Sequence, residues 1–222
     1  MAGKSNNTTT LLVTGFEPFG GSTLNPSQVL IEALTAGAMD LPGVEWHTAL
    51  LPVDTCCIAA VIDTLWAKHE PDLVLHLGES AKAQRLTLER VALNLLDFDS
   101  PDNAGKRVVD QPIDPDGPAA RFATLPVAAL HEKLKTFGIA SDLSLSAGAY
   151  LCNQTLYLSL AHAQQRGGRR VGFVHVPSLP EQVAMGERKA PTMPREQLIE
   201  QIHRLILLAM DEHSADKPKD CC

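Results

Sequence analysis

Short apolar runs alternate along the chain with longer stretches whose apolar positions recur at helical spacing. The run LLVT at 11–14, followed by Gly15, predicts a strand buried on both faces. Asn25, Pro26 and the stripe in SQVLIEAL predict a helix capped by the Asn25 side chain, with proline at its first position. The same alternation then predicts a strand at 46–51, a helix capped by Asp54 and running to about His69, and a buried strand at 73–77. Residues 95–122 are dense in Asp, Pro and Gly, so this segment is expected to lie near a site as a binding loop or cover. Beyond it come a helix at 126–137, a strand around 143–145, a helix after Cys152, a strand at 170–176 and a closing amphipathic helix at 194–211. Alternation of this kind implies an α/β fold: three α/β/α layers with a mostly parallel twisted sheet, whose ligands bind beyond the carboxyl ends of the strands. Neither a repeat nor a linker interrupts the pattern, and a single domain spanning 1–222 is expected, with flexible tails at 1–10 and 213–222.

Composition narrows the functional classes. A formal net charge of -7 leaves no basic face for phosphates, so neither nucleic acid nor an anionic membrane is an expected partner. No run of about 18 apolar residues occurs, and the polar start MAGKSNNTTT lacks the apolar centre of a signal peptide, so a cytoplasmic protein is expected. The five cysteines, Cys56, Cys57, Cys152, Cys221 and Cys222, suit neither a disulfide framework nor a zinc site, and no metal or other cofactor is expected. Cys221 and Cys222 follow a polar run and are assigned no function.

Two residues stand where catalytic groups stand in such sheets. Cys152, in SAGAYLCNQTLYL, falls near the first turn of a helix, where free backbone N–H groups and the helix dipole favour a thiolate and can hold an oxyanion. A cysteine that merely packs is the competing reading. His175 ends the strand VGFVHV just before Pro177, within reach of a thiol on a neighbouring strand-to-helix turn; a core histidine bonded to a carbonyl is the alternative. Glu89, in RLTLERVALN, reads either as a carboxylate that orients the imidazole or as part of an alternating strand with Glu89 and Arg90 facing solvent. The segment GFEPFGGS at 15–22 nearly spells a phosphate-binding loop, but Gly21 replaces the required lysine and Pro18 removes an N–H group, which disfavours nucleotide binding. Phe16 and Phe19 instead suggest two rings lining a small apolar pocket, with core packing as the plainer alternative.

Taken in order, the blocks LLVTGFEPFGGSTLNPS, LTLERVALN, SPDNAG with DGPAARFATLP, SAGAYLCNQTLY and GFVHVPSLPEQ resemble the type I pyroglutamyl peptidases, also called pyrrolidone carboxyl peptidases. The resemblance implies a cysteine peptidase that removes an amino-terminal pyroglutamyl residue through a thiol-acyl intermediate. It places Cys152, His175 and Glu89 as the catalytic residues, and Phe16, Phe19, Asn25, Glu79, Ser100, Tyr150 and Leu151 around the substrate. Small peptides with a blocked amino terminus are the implied partners, and a homotetramer is the implied assembly. Departures cluster near the expected pocket. Where many bacterial members read GQAGGR, this chain has GESAKA at 78–83, putting the acid Glu79 at a glutamine position, and Phe98, Asp99 and Ser100 replace Ala-Arg-Ile. Two further functions therefore stay in view: a cysteine amidase of shifted specificity, and a weakly active binding protein.

Overall fold

The computed structural model of the protein describes residues 8–37, 43–186 and 189–215; Cys221 and Cys222 lie outside the described residues. The first half runs β1 (Thr9–Phe16), α1 (Pro26–Thr35), β2 (Val44–Leu51), α2 (Ile58–His69), β3 (Leu73–Glu79), β4 (Leu86–Glu89), β5 (Val91–Leu93) and β6 (Ala120–Phe122). The second half runs α3 (Val127–Thr136), β7 (Ser141–Ser144), α4 (Leu151–Arg166), β8 (Arg170–Val176), α5 (Pro180–Ala184) and α6 (Arg195–Ala215). Six strands pair in the order β2-β1-β3-β8-β4-β7, and β5 pairs with β6 separately. Every pairing in the large sheet is parallel except β4 with β8. The expected mostly parallel α/β/α arrangement is thus present, with β4 and β7 running antiparallel to the other four strands.

Successive side chains of a strand face opposite sides, and two separate cores follow from that. Leu11, Val13, Leu73, Leu75, Leu77, Val174 and Val176 pack against α1, α3 and α6 on one face. On the other face, Leu12, Val74, Val171 and Phe173 meet Ile58, Ile62 and Trp66 of α2 and Leu156 and Leu160 of α4. Both faces are covered, which explains why these strands read as continuous apolar runs.

The start of α1 forms as its sequence dictates. Asn25 is extended (φ -131°, ψ 124°) and its side chain accepts from the Ser27 N–H at 2.9 Å, with Pro26 in the first turn. Asn25 Nδ2 also donates to the Glu17 carbonyl (3.0 Å), and Ser27 Oγ accepts from the Phe16 N–H (2.9 Å). The cap therefore fixes the 15–22 loop as well as the helix. Gly15 is required by this closeness, since a Cβ there would stand 2.6 Å from the Ser27 carbonyl oxygen.

Three expectations change, and one of the two readings of Glu89 falls away. Asp54 does not cap α2 directly: its carbonyl accepts from the Cys57 and Ile58 N–H groups (3.2 and 3.1 Å), so a turn precedes the helix. Thr9 and Thr10 are no tail, because both are buried in β1, where the Thr9 N–H donates to Gly43 and the Thr10 N–H to Asp72 Oδ2. At the other end α6 runs on to Ala215, past the expected tail boundary at 213. Glu89 does not face solvent beside Arg90: β4 lies between β8 and β7 in the sheet interior, leaving Glu89 2% exposed while Arg90 is exposed. α5 was not foreseen, being too short to show a helical period.

His76, in β3, is fully buried between Thr14 Oγ1 (2.7 Å) and Ser159 Oγ (2.8 Å). Burial pushes its pKa down from 6.5 to about 3, so it stays neutral in the folded state. The unfolded chain binds the extra proton, so the stability owed to neutral His76 is complete above pH 6.5 and drains as pH falls towards 3. Denaturant midpoints between pH 7 and pH 4 should therefore fall more steeply for wild type than for His76→Gln; parallel pH profiles would contradict this assignment.

Candidate active site

Cys152 is the second residue of α4, and its thiol is free and half-buried. The helix begins after Tyr150, which is extended and lends no side-chain cap. The first-turn N–H groups at the thiol are thus not taken by a capping side chain. Asn153 secures this end of the helix: it accepts from the Leu93 N–H (2.8 Å) and donates to the carbonyls of Leu93 and Leu95 (2.8 and 3.0 Å).

His175, at the carboxyl end of β8, is 9% exposed, and its Nδ1 meets Glu89 Oε1 at 2.8 Å. The antiparallel register makes this contact. Thr87 is paired with His175 and Glu89 with Phe173, so Glu89 is the diagonal neighbour of His175 on the same face. With a carboxylate acceptor, Nδ1 carries the proton and Nε2 is left to face the thiol. Burial alone lowers the His175 pKa, but Cys152, through charge and a hydrogen bond, and then Glu89 outweigh it and raise the imidazole to about 10. Among the described residues Glu89 Oε2 has no hydrogen-bond partner.

Gly78 was missed as a site residue. It pairs with His175 across β3 and β8, and a Cβ on it would stand 3.0 Å from Cys152 Sγ and 2.7 Å from the Phe173 ring. The signal was available, because a glycine inside a strand marks a close approach. Phe173 was also missed; its ring lies 4.8 Å from that of His175 and 6.4 Å from that of Phe16.

Two cavities meet at Cys152. A narrow one, about 20 Å³, is lined by Phe16, Phe19, Asn25, Val53, Glu79, Tyr150, Leu151 and Cys152. Six of the seven residues expected around a substrate therefore converge on one place. Ser100 does not: it is exposed and lines neither cavity. Asp102 fixes the turn that follows by accepting from the N–H groups of Thr55 (3.0 Å) and Lys106 (2.8 Å), while Asn103 donates to Glu17 and Pro18. Asp99 is exposed beside it, and Phe98 is buried edge-on against Tyr150 at 4.6 Å, backing the wall. Segment 95–122 is thus close to the site but braces it from behind, and no residue of it lines either cavity.

Glu79 is 7% exposed and accepts from Ser178 Oγ (2.6 Å) and Gln182 Nε2 (3.2 Å), which fix its carboxylate in the wall. Burial, with Asp102 and Cys152, pushes the Tyr150 phenol up to about 12, and its hydroxyl donates to the Pro101 carbonyl. The second cavity, about 780 Å³, mixes apolar walls with charged and hydroxyl side chains and runs from Cys152, His175 and Glu89 past residues 80–84 and 144–148.

A thiol at a helix start, an imidazole and an orienting carboxylate, gathered at the carboxyl ends of a mostly parallel sheet, are the equipment of a thiol hydrolase. The family model for pyroglutamyl peptidase matches residues 9–212. Pyrrolidone-carboxylate peptidase of Pyrococcus furiosus is 37% identical over 91% of this chain and 98% of its own; that of Vibrio vulnificus is 39% identical over 93% and 95%. The solved structure of the Pyrococcus furiosus pyrrolidone carboxyl peptidase superposes with a TM-score of 0.86 at 36% identity, covering 92% of this chain and all of that one. The chain belongs to the pyroglutamyl peptidase family.

If Glu89 helps hold His175 protonated beside the thiol, Glu89→Gln should lower the imidazole pKa and slow labelling of Cys152 by iodoacetamide at pH 7 by about tenfold. Unchanged labelling, with the variant folded by circular dichroism, would remove Glu89 from that role.

Proposed function

We propose that this protein is a cysteine omega-peptidase that removes an amino-terminal pyroglutamyl residue from peptides. The observation that carries the reading is the junction at Cys152, where a thiol at a helix start, an imidazole held by a buried carboxylate and a small aromatic cavity share one point. Cys152 is the nucleophile: its thiolate attacks the pyroglutamyl carbonyl, and N–H groups at the start of α4 hold the oxyanion. His175, as imidazolium, gives its Nε2 proton to the leaving amine. As neutral imidazole it then takes a proton from the water that hydrolyses the acyl-enzyme. Glu89 keeps the ring oriented and stabilises its charged form.

The lactam sits between Phe16, Phe19, Tyr150 and Leu151, with Asn25 and Glu79 as its polar neighbours. A flat, uncharged ring suits aromatic walls, whereas a free amino terminus would bring a charge into them. In its present shape the cavity, about 20 Å³, is closer to one water than to a five-membered ring, so Phe19 and Tyr150 must part when substrate binds. Glu79 favours one second reading, an amidase of shifted specificity, because a carboxylate in this wall attracts a positively charged ring nitrogen more strongly than a neutral lactam N–H.

The cellular setting follows the same reading. Free thiols at Cys56, Cys57 and Cys152 suit the reducing cytoplasm. The partners are small peptides with a blocked amino terminus, and family resemblance supports a homotetramer. The net charge of -7 argues against nucleic acid.

Release of a fluorescent amine from a pyroglutamyl amide tests this directly, with the prolyl amide run alongside. Turnover of the pyroglutamyl substrate should fall by at least about 1,000-fold in Cys152→Ser. Preference for the prolyl amide would favour the shifted amidase, and turnover that survives in Cys152→Ser would overturn the nucleophile.

A further inference from the structure

The larger cavity holds more than the proposed chemistry uses. On the reading above, the lactam occupies the aromatic end at Cys152, so the rest of the roughly 780 Å³ lies on the leaving-group side. A space of that size falls within the range of pockets that enclose whole ligands, and an extended chain advances only about 3.3–3.6 Å per residue. The peptide beyond the scissile bond therefore runs between residues 80–84 and 142–148.

Not every charge along that path is paired within the protein. Glu89 is bound to His175 at 2.8 Å, and Glu79 accepts from Ser178 and Gln182. On the rim, Asp142 is paired with Arg85 at 3.6 Å. Lys82, at the turn between β3 and β4, is exposed, lines the cavity, and forms no ion pair or hydrogen bond among the described residues. It is the cation of this wall left without an anion. An incoming carboxylate passes two buried acids, Glu79 and Glu89, whose repulsion an unmatched ammonium offsets.

We propose that Lys82 recognises the terminal carboxylate of short pyroglutamyl peptides, so that peptides ending within the cavity are preferred over their amides. The inference rests on the proposed peptidase activity and adds the substrate class to it. An exposed ion pair in water gives a modest preference, about threefold, and salt screens it.

The test compares kcat/KM for pyroglutamyl-alanine and pyroglutamyl-alanine amide in wild type, Lys82→Ala, Lys82→Arg and Lys82→Glu, at low and high salt. Wild type should prefer the free acid about threefold, mainly through KM, and lose the preference at high salt. Arginine should keep the preference, alanine abolish it and glutamate invert it. A carboxylate-to-amide ratio that is the same in wild type and Lys82→Ala overturns the role of Lys82. If wild type cleaves neither dipeptide nor the fluorogenic amide, the peptidase reading fails, and this inference fails with it.

Discussion

The hydrogen bond between Glu89 and His175 is the contact on which the rest of the site depends. A buried carboxylate without a partner is costly, and an imidazole beside a thiol in a dry crevice tends to lose its proton. Each group removes the other's problem at 2.8 Å, and together with Cys152 they hold a charge in a place where burial alone would discharge it. The bond exists because β4 runs antiparallel to β8 inside a sheet that is otherwise parallel. A parallel β4 would give a different register and take Glu89 from the diagonal position. The one antiparallel pairing in the sheet thus has a chemical consequence, because it brings the carboxylate of Glu89 onto His175.

Around that contact the fold withholds bulk where groups must approach. Gly78 lacks the side chain that would strike Cys152 and Phe173, and Gly15 lacks the one that would strike α1 and dislodge the loop carrying Phe16 and Phe19. The Asn25 cap then serves two elements at once, satisfying the start of α1 and tying down Glu17. The aromatic pocket is thus built from a helix cap, a glycine-rich loop and the residues that precede Cys152. Its polar wall comes from the end of β3, where Ser178 and Gln182 orient Glu79. The 95–122 segment, with its Asp102 and Asn103 turn, stiffens this assembly from outside.

Most of the sheet was legible because its strands are covered on both faces and read as unbroken apolar runs; β8 coincides with its expected bounds, and β1 and β3 lie where LLVT and LVLHL predict them. The positions of Cys152 at a helix start and of His175 at a strand end were legible from spacing, although a packing thiol and a core histidine fitted the same spacing. Glu89 was not. LTLE alternates, and alternation says that one face differs from the other without saying which strands will flank it. Only the tertiary placement of β4 decides that Glu89 turns inward. Ser100 stands apart for a related reason: position in a motif does not give side-chain direction, and this residue is exposed and lines neither cavity. Gly78 could have been found from its place inside a strand, whereas the closeness of Phe173 to His175 had no sequence signal beyond their spacing of two.

Whether Cys152 carries the acyl group is tested most directly by mass spectrometry of the acid-quenched enzyme. Wild type mixed with an activated pyroglutamyl ester and stopped within the first turnovers should show one added pyroglutamyl group, mapped to the peptide containing Cys152. Cys152→Ser should show none there. Rapid product formation with the acyl group on another residue, or on none, would contradict the account.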